Sequence, residues 1–597
     1  MRRIHVLPVL CALAAVVAGT TSGAVKSEAS ATSRALAASG CASAVESLLG
    51  RMTLAEKVGQ MVMVLNAPGF GDFTDTETLI REHHVGSVVS HAYFGHGPAD
   101  AAARNNVLQA AAATTRLGIP ILNAADFEAG VSILVADGAS LPLQMGLGAT
   151  RRRQDAAAAA EVTAAEARAL GFQWTFSPVA DVVTTALNGE GGVRTFGGDT
   201  RAVAGLVEAQ VGALQGAGLA ATAKHFPGMG GSEVNSHFDL PRVAYGRGTL
   251  ERVHLPPFRA AVRAGVDAIM TGHIVVEALD PDRPASLSPN VTTGLLRREL
   301  GYDGVIVTDS MTLGALVTRW GIDEAAVMAV EAGADIVMEI GPTEVPLLAI
   351  EAILGAVEEG VISDARIDAS VRRVLNLKCK YGLLEHAPAA DPGEAESVVG
   401  APAHLATGKE LSRRAVTLVR NDGLLPFDTD GGETTLVVGV THEATVIPTP
   451  PLSHVPQLAA AVERLSDGDV VTSEAATEDP TDEEIATTVQ LAAQADRILV
   501  ATYSAGPLPA GQRRLVEALL TTGKPVVAVA TGTPYDLAAY PGVRAYVAAY
   551  ALTFLPTYAF SSAALDAAVE VVFGANPGGR LPVPISELYP IGHGLGY

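Results

Sequence analysis

Gly304-Val-Ile-Val-Thr-Asp309 is an apolar, β-branched run that ends on a carboxylate. That is the composition of a strand buried on both faces, whose last side chain emerges at the strand end rather than on a solvated surface. Runs of the same kind recur near residues 58–65, 85–91, 119–125, 172–180, 220–226, 267–274 and 334–340, separated mostly by alanine-rich stretches of helical character. With 303–309 they make eight β units alternating with helices, which predicts an α/β fold built on a (β/α)8 TIM-like barrel. Catalytic side chains of such a barrel come from the C-terminal ends of the strands and the loops after them. The polar residues fall there. Asp126 follows the third run, Asp181 the fourth, Lys224 and His225 close the fifth, His273 follows the sixth, Asp309 closes the seventh and Glu339 the eighth. A polar pocket at one end of the barrel is therefore expected.

Outward from the barrel, Thr53-Leu-Ala-Glu56 has the spacing of a helix capping box, and the barrel pattern ends with a helical stretch from Ile367 to Lys380. A Pro/Ala/Gly-rich segment, 386–403, reads as a linker. Beyond it, apolar runs at 434–440, 497–502, 525–530 and 544–548 alternate with helical stretches, predicting a smaller α/β sandwich domain with a mostly parallel sheet. The first residues carry Arg2 and Arg3, an apolar run from Val6 to Val17 and small polar residues up to Ala24. That order reads as a secretory signal peptide, since the apolar run is shorter than the ~20 residues a membrane span needs. The expected division is thus a signal peptide at 1–24, a linker at 25–40, the barrel domain at 41–385, a second linker at 386–403 and the C-terminal domain at 404–597.

The chain is 597 residues long with a formal net charge of −23, a balance that argues against nucleic acid or an anionic surface as a partner. Cys41 and Cys379 are the cysteines left beyond the signal peptide. In an oxidising compartment they invite one disulfide, with two separately buried thiols as the alternative. No histidine or cysteine spacing resembles a metal-ligand set, so neither a metal nor a cofactor is expected. The oligomeric state is not legible.

The stretch that follows the fifth run is Ala223-Lys-His-Phe-Pro-Gly-Met-Gly-Gly-Ser-Glu-Val-Asn-Ser-His-Phe-Asp-Leu-Pro241. Its strand delivers Lys224 and His225 to the pocket, and Gly228, Gly230 and Gly231 make the loop carrying His237 permissive in backbone angle. A lysine and a histidine on neighbouring strands would hold Asp309 ionised, as a nucleophile requires.

These motifs resemble glycoside hydrolase family 3, in particular its β-N-acetylglucosaminidase (β-hexosaminidase) branch. The resemblance is carried by Asp126-Phe-Glu-Ala-Gly130, Phe176-Ser-Pro-Val-Ala-Asp181, Arg194-Thr-Phe-Gly197, Lys224-His-Phe-Pro-Gly228, Pro284-Ala-Ser-Leu-Ser288, Thr308-Asp-Ser310, Leu418-Val-Arg-Asn-Asp-Gly-Leu-Leu-Pro426 and Pro577-Gly-Gly-Arg-Leu-Pro-Val583. It implies Asp309 as nucleophile, His237 as a loop-borne general acid/base, and Asp126, Arg194, Lys224 and His225 as hydrogen-bonding partners of the non-reducing sugar, with His273 lining the same pocket. The implied activity is that of a secreted, retaining exo-enzyme removing β-linked N-acetylglucosamine from cell-wall or chitin-derived oligosaccharides, by two displacements through a covalent glycosyl-enzyme. A β-glucosidase or β-xylosidase with a glutamate acid/base from the second domain, and a sugar-binding wall protein with impaired catalysis, are the alternatives. Phosphorolysis beside hydrolysis is a minor one.

The chain departs from that pattern in three places. The family's Asp-Ser-His is here Asn235-Ser236-His237, so the residue orienting the histidine lacks a charge; Pro-Gly-His-Gly is here Pro227-Gly-Met-Gly230; and no arginine stands within Val131–Val135 to form a clamp with Asp126. Lower turnover or a lower optimum pH is the expected consequence of Asn235.

Overall fold

The computed structural model describes residues 41–67, 75–91, 96–188, 191–385, 389–442, 452–504, 506–554 and 558–597. The expected signal peptide and the linker after it lie outside the described residues. Eight parallel strands form the first sheet: β1 (Val62–Asn66), β2 (Ser87–Ser90), β3 (Leu122–Ala125), β4 (Trp174–Thr175), β5 (Thr222–Phe226), β6 (Ala268–Thr271), β7 (Val305–Ser310) and β8 (Ile336–Glu339). Their order is β4-β3-β2-β1-β8-β7-β6-β5. Bridges Trp174↔Ala220 and Val179↔Lys224 join β4 to β5 and close the ring.

The continuous apolar runs are explained by burial on both faces. Met63, Leu65, Val89, Leu122, Trp174, Met270, Val305, Val307 and Met338 fill the barrel interior. Their neighbours Val62, Val64, Val88, Ile121 and Val337 pack outward against the helices. The run expected at 58–65 begins as a helix. Leu54–Gln60 is helical because Thr53 and Glu56 close the capping box, and pairing with β2 and β8 starts only at Val62. Likewise β4 keeps two residues of a longer apolar run.

In the segment expected as a linker, Pro392–Val398 form a helix capped by Asp391, with proline in its first turn. The second sheet has the order β9-β14-β13-β12-β10-β11, built from β9 (Thr417–Asn421), β10 (Thr435–His442), β11 (Val470–Ala475), β12 (Arg497–Thr502), β13 (Val526–Ala530) and β14 (Ala545–Ala548). These six are parallel except for β9, which runs antiparallel to β14; a seventh, two-residue strand, Leu452–Ser453, pairs antiparallel with the end of β10. β9 and β11 do not stand out in the sequence, because β9 ends on Arg420-Asn421 and β11 is only partly buried.

The second domain packs against the loop that carries Arg194. Gly198 N–H donates to Pro582 O (3.0 Å) and Arg580 N–H to Ala149 O (2.9 Å). A Cβ at Gly197, whose φ is +131°, would sit 2.5 Å from Pro582 O, so the approach requires glycine. Two of the motifs quoted above, Arg194–Gly197 and Pro577–Val583, are the two sides of this contact.

Cys41 and Cys379 are disulfide-bonded across 338 residues, with Cα atoms 5.8 Å apart, which ties the first described helix to the last helix of the barrel. Cys41→Ser is expected to cost about 2–5 kcal/mol of stability, read as a lower urea midpoint. An unchanged midpoint would show that the bond contributes nothing.

Candidate active site

The C-terminal ends of β3, β5 and β7 converge on a chain of charges. Lys224 Nζ lies 2.5 Å from Asp126 Oδ1 and 2.7 Å from Glu128 Oε1. Arg194 grips Glu128 through both oxygens, Nε to Oε2 at 2.9 Å and Nη2 to Oε1 at 2.7 Å. Glu128 is buried; despite the opposing effect of burial, Arg194 and Lys224 hold its carboxyl well below the usual range. Buried ions persist only when paired, and here every one is. Asp126 is the member that reaches the open mouth, with 20% of its side chain exposed against 2% for Lys224 and 1% for Glu128.

His225 continues the chain toward β7. Its Nδ1 pairs with Asp181 Oδ2 at 2.8 Å, and its Nε2 stands 3.9 Å from Asp309 Oδ2. Asp181 also accepts the Met229 N–H at 2.7 Å, fixing the start of the loop. Burial opposes a charge on His225, yet Asp181 and Asp309 raise its pKa, favouring the imidazolium. At Asp309, burial pushes the carboxyl up, while His225, His273, His237 and Lys224 outweigh it, so the group is held below its ordinary pKa. An ionised carboxylate thus faces the pocket, with one oxygen also accepting the Ser310 N–H at 2.8 Å.

His237 lies on the loop between β5 and β6 and is among the groups that stabilise the Asp309 charge. Its Nδ1 pairs with Asn235 Oδ1 at 2.8 Å. An amide oxygen only accepts, so Nδ1 carries the proton and Nε2 is the nitrogen for proton exchange. The loop is fastened to the segment just past the Asp309 strand: Gly314 N–H donates to His237 O (3.1 Å), Ala315 N–H to Ser236 O (3.0 Å), and Arg319 Nη1 to Asp239 Oδ1 (2.8 Å). A Cβ at Gly314 would stand 2.6 Å from Phe238 O and 2.7 Å from His237 O.

Two strand-end residues do not line the pocket as expected. His273 is fully buried, with Nδ1 paired to Ser286 Oγ and Nε2 to Ser310 O, both at 2.8 Å. It supports the end of β7 and has no nitrogen left for a sugar. Glu339 shares the outward face of β8 with Val337, opposite Val64. It is wholly buried without a hydrogen-bond partner among the described residues, and burial pushes its pKa well above the usual value. Conversely, sequence reasoning assigned no role to Glu128 or His91. The first sat inside the quoted Asp126–Gly130 motif, and the second is the last residue of the second apolar run. Among the described residues, no group of three His, Cys, Asp or Glu side chains is placed to hold a metal ion, and no helix is long and apolar enough to cross a membrane.

Comparison with known proteins gives a consistent picture. The pattern of the glycosyl hydrolase family 3 N-terminal domain matches residues 53–377, and that of its C-terminal domain residues 416–597. A β-N-acetylglucosaminidase/β-glucosidase of Cellulomonas fimi is 33% identical over 395 residues, 64% of this chain and 67% of that protein. Beta-hexosaminidase A of Pseudoalteromonas piscicida is 31% identical over 374 residues, 58% of this chain and 62% of that one. The matches thus span about two thirds of the length of these relatives. The structure of a glycoside hydrolase family 3 β-N-acetylglucosaminidase from Paenibacillus sp. str. FPU-7 superposes with a TM-score of 0.82 at 34% identity, covering 89% of this chain and 99% of that one.

Gly314→Ala is expected to lift the 229–240 loop while leaving the barrel folded. Limited proteolysis should cut within that loop several times faster at a nearly unchanged Tm, with nitrophenyl glycoside turnover down about tenfold. Unaltered cleavage and turnover would refute the latch.

Proposed function

The chain belongs to glycosyl hydrolase family 3, and on that premise we propose that it is a secreted, retaining exo-β-N-acetylglucosaminidase with Asp309 as nucleophile and His237 as general acid/base. The observation that carries this reading is the pairing of an ionised strand-end carboxylate with an imidazole on a loop fastened to the same segment. In the first displacement an Asp309 oxygen bonds to the anomeric carbon as the glycosidic C–O bond breaks, and His237, as imidazolium, gives the leaving oxygen its Nε2 proton. In the second, neutral Nε2 takes a proton from water, the water oxygen bonds to the anomeric carbon, and the Asp309 ester bond breaks. Histidine titrates near neutrality and serves in both directions. Relatives whose names include N-acetylglucosaminidase or hexosaminidase support the acetamido sugar. We take cell-wall or chitin-derived oligosaccharides as the substrates. Secretion is supported by the sequence of the first 24 residues and by the Cys41–Cys379 bond, which suits an oxidising compartment.

A second reading, β-glucosidase activity, is favoured by the double name of the Cellulomonas fimi relative. Rates on the nitrophenyl β-glycosides of N-acetylglucosamine, glucose and xylose separate the two. The N-acetylglucosaminide should be cleaved fastest, Asp309→Ala should abolish turnover, and His237→Ala should lower it about 10²–10⁴-fold. Preference for glucose, or turnover surviving in Asp309→Ala, would overturn the proposal.

Asn235 accepts the Nδ1 proton without supplying a negative charge. In Asn235→Asp, a carboxylate would stabilise the imidazolium and raise the His237 pKa. The basic limb of the kcat profile, where the acid is lost, should then move to higher pH, with kcat at pH 7 rising severalfold. An unshifted limb would contradict this.

A further inference from the structure

His91 follows β2, its N–H donating to Asn66 O at 2.9 Å, which fixes it at the barrel mouth between β1 and β2. Its side chain is 8% exposed, and Nε2 stands 3.7 Å from Asp126 Oδ2. That separation is too long for a hydrogen bond. Asp126 Oδ1 belongs to Lys224, so Oδ2 and the imidazole edge form an acceptor and a donor side by side. Burial above all keeps His91 below its ordinary pKa, against the pull of Asp126, and a neutral ring presents one N–H and one bare nitrogen. A hydroxyl is the group that satisfies both neighbours, donating to the carboxylate and accepting from the ring. In the loop after Asp126, Val131 and Val135 are buried in the core and offer no side-chain donor.

The strand order tells which hydroxyl. In the closed ring of eight strands, β3 with Asp126 lies diametrically across from β7 with Asp309, and β2 with His91 is next to β3. In a pyranose the carbon across the ring from C1 is C4. A sugar whose C1 meets Asp309 therefore directs its C4 hydroxyl at the wall made by β2 and β3.

We propose that His91 is a specificity-determining residue which, with Asp126, holds the C4 hydroxyl of the sugar being released and so selects the equatorial over the axial configuration at that carbon. This rests on Asp309 as nucleophile, but not on the acetamido group. A site built to hydrogen-bond a hydroxyl leaves its own polar groups unpaired when an analogue lacks it, which is the source of its discrimination.

The test is a cycle of protein and substrate changes. Wild type, His91→Ala and His91→Asn are assayed on the nitrophenyl β-N-acetylglucosaminide, its 4-deoxy analogue and its C4 epimer. We expect His91→Ala to lower kcat/KM about tenfold on the parent, to leave the 4-deoxy substrate within about twofold of wild type, and to narrow the gap to the epimer. His91→Asn, which keeps a donor, should recover part of the loss. An equal loss on parent and 4-deoxy substrate would mark a merely structural role, and no loss on either would remove His91 from recognition; both overturn the proposal. Should wild type prefer the glucoside, the acetamido reading fails while the same cycle with 4-deoxyglucoside judges His91 by the same criterion. Turnover surviving in Asp309→Ala would overturn both.

Discussion

Glu128 answers two cations at once, and the active-site wall depends on that. Arg194 comes from the loop after β4 and Lys224 from β5, while Glu128 and Asp126 come from the loop after β3. A buried carboxylate with both partners removed would sit unpaired in a low dielectric. The three strand ends therefore hold each other in place electrostatically. The second domain adds to the same structure from outside, where Pro582 closes on Gly197 and Gly198 and seats the Arg194 loop.

From this wall the charge alternates toward the proposed nucleophile: Lys224, Asp126 and Glu128, then Asp181 with His225, then Asp309. Positive potential is concentrated where the carboxylate must stay ionised. His237, the proposed acid/base, differs in kind, because its imidazole is carried by a loop and its position is set by backbone hydrogen bonds to residues 314 and 315. Chemistry of two displacements needs such an asymmetry, a fixed nucleophile and a proton carrier that can serve two different oxygens in turn.

Much of this was legible in the sequence because strand ends in a barrel are marked. An apolar run that stops on Asp309, or on Lys224-His225, has few structural uses other than delivering that side chain to the mouth. The signal failed where a strand end looks the same whichever face its last residue occupies. Glu339 ends its run as Asp309 does, yet the two-residue period puts it on the outer face with Val337. His273 also ends at the mouth, but the hydroxyl and carbonyl that occupy its ring come from residues 286 and 310. Only three-dimensional proximity reveals that. The second domain was read by its core strands, whereas β9, ending on Arg420-Asn421, and the half-exposed β11 lacked the apolar signature.

The central claim is that Asp309 forms the covalent bond to the sugar. The most direct measurement is mass spectrometry of peptides after incubation with a 5-fluoro-N-acetylglucosaminyl fluoride, whose fluorine slows breakdown of the intermediate. The account predicts a stoichiometric glycosyl increment on the peptide containing Asp309, removed on reactivation with a glycoside acceptor. An increment on any other carboxylate, or continued turnover with no labelled peptide, would contradict it.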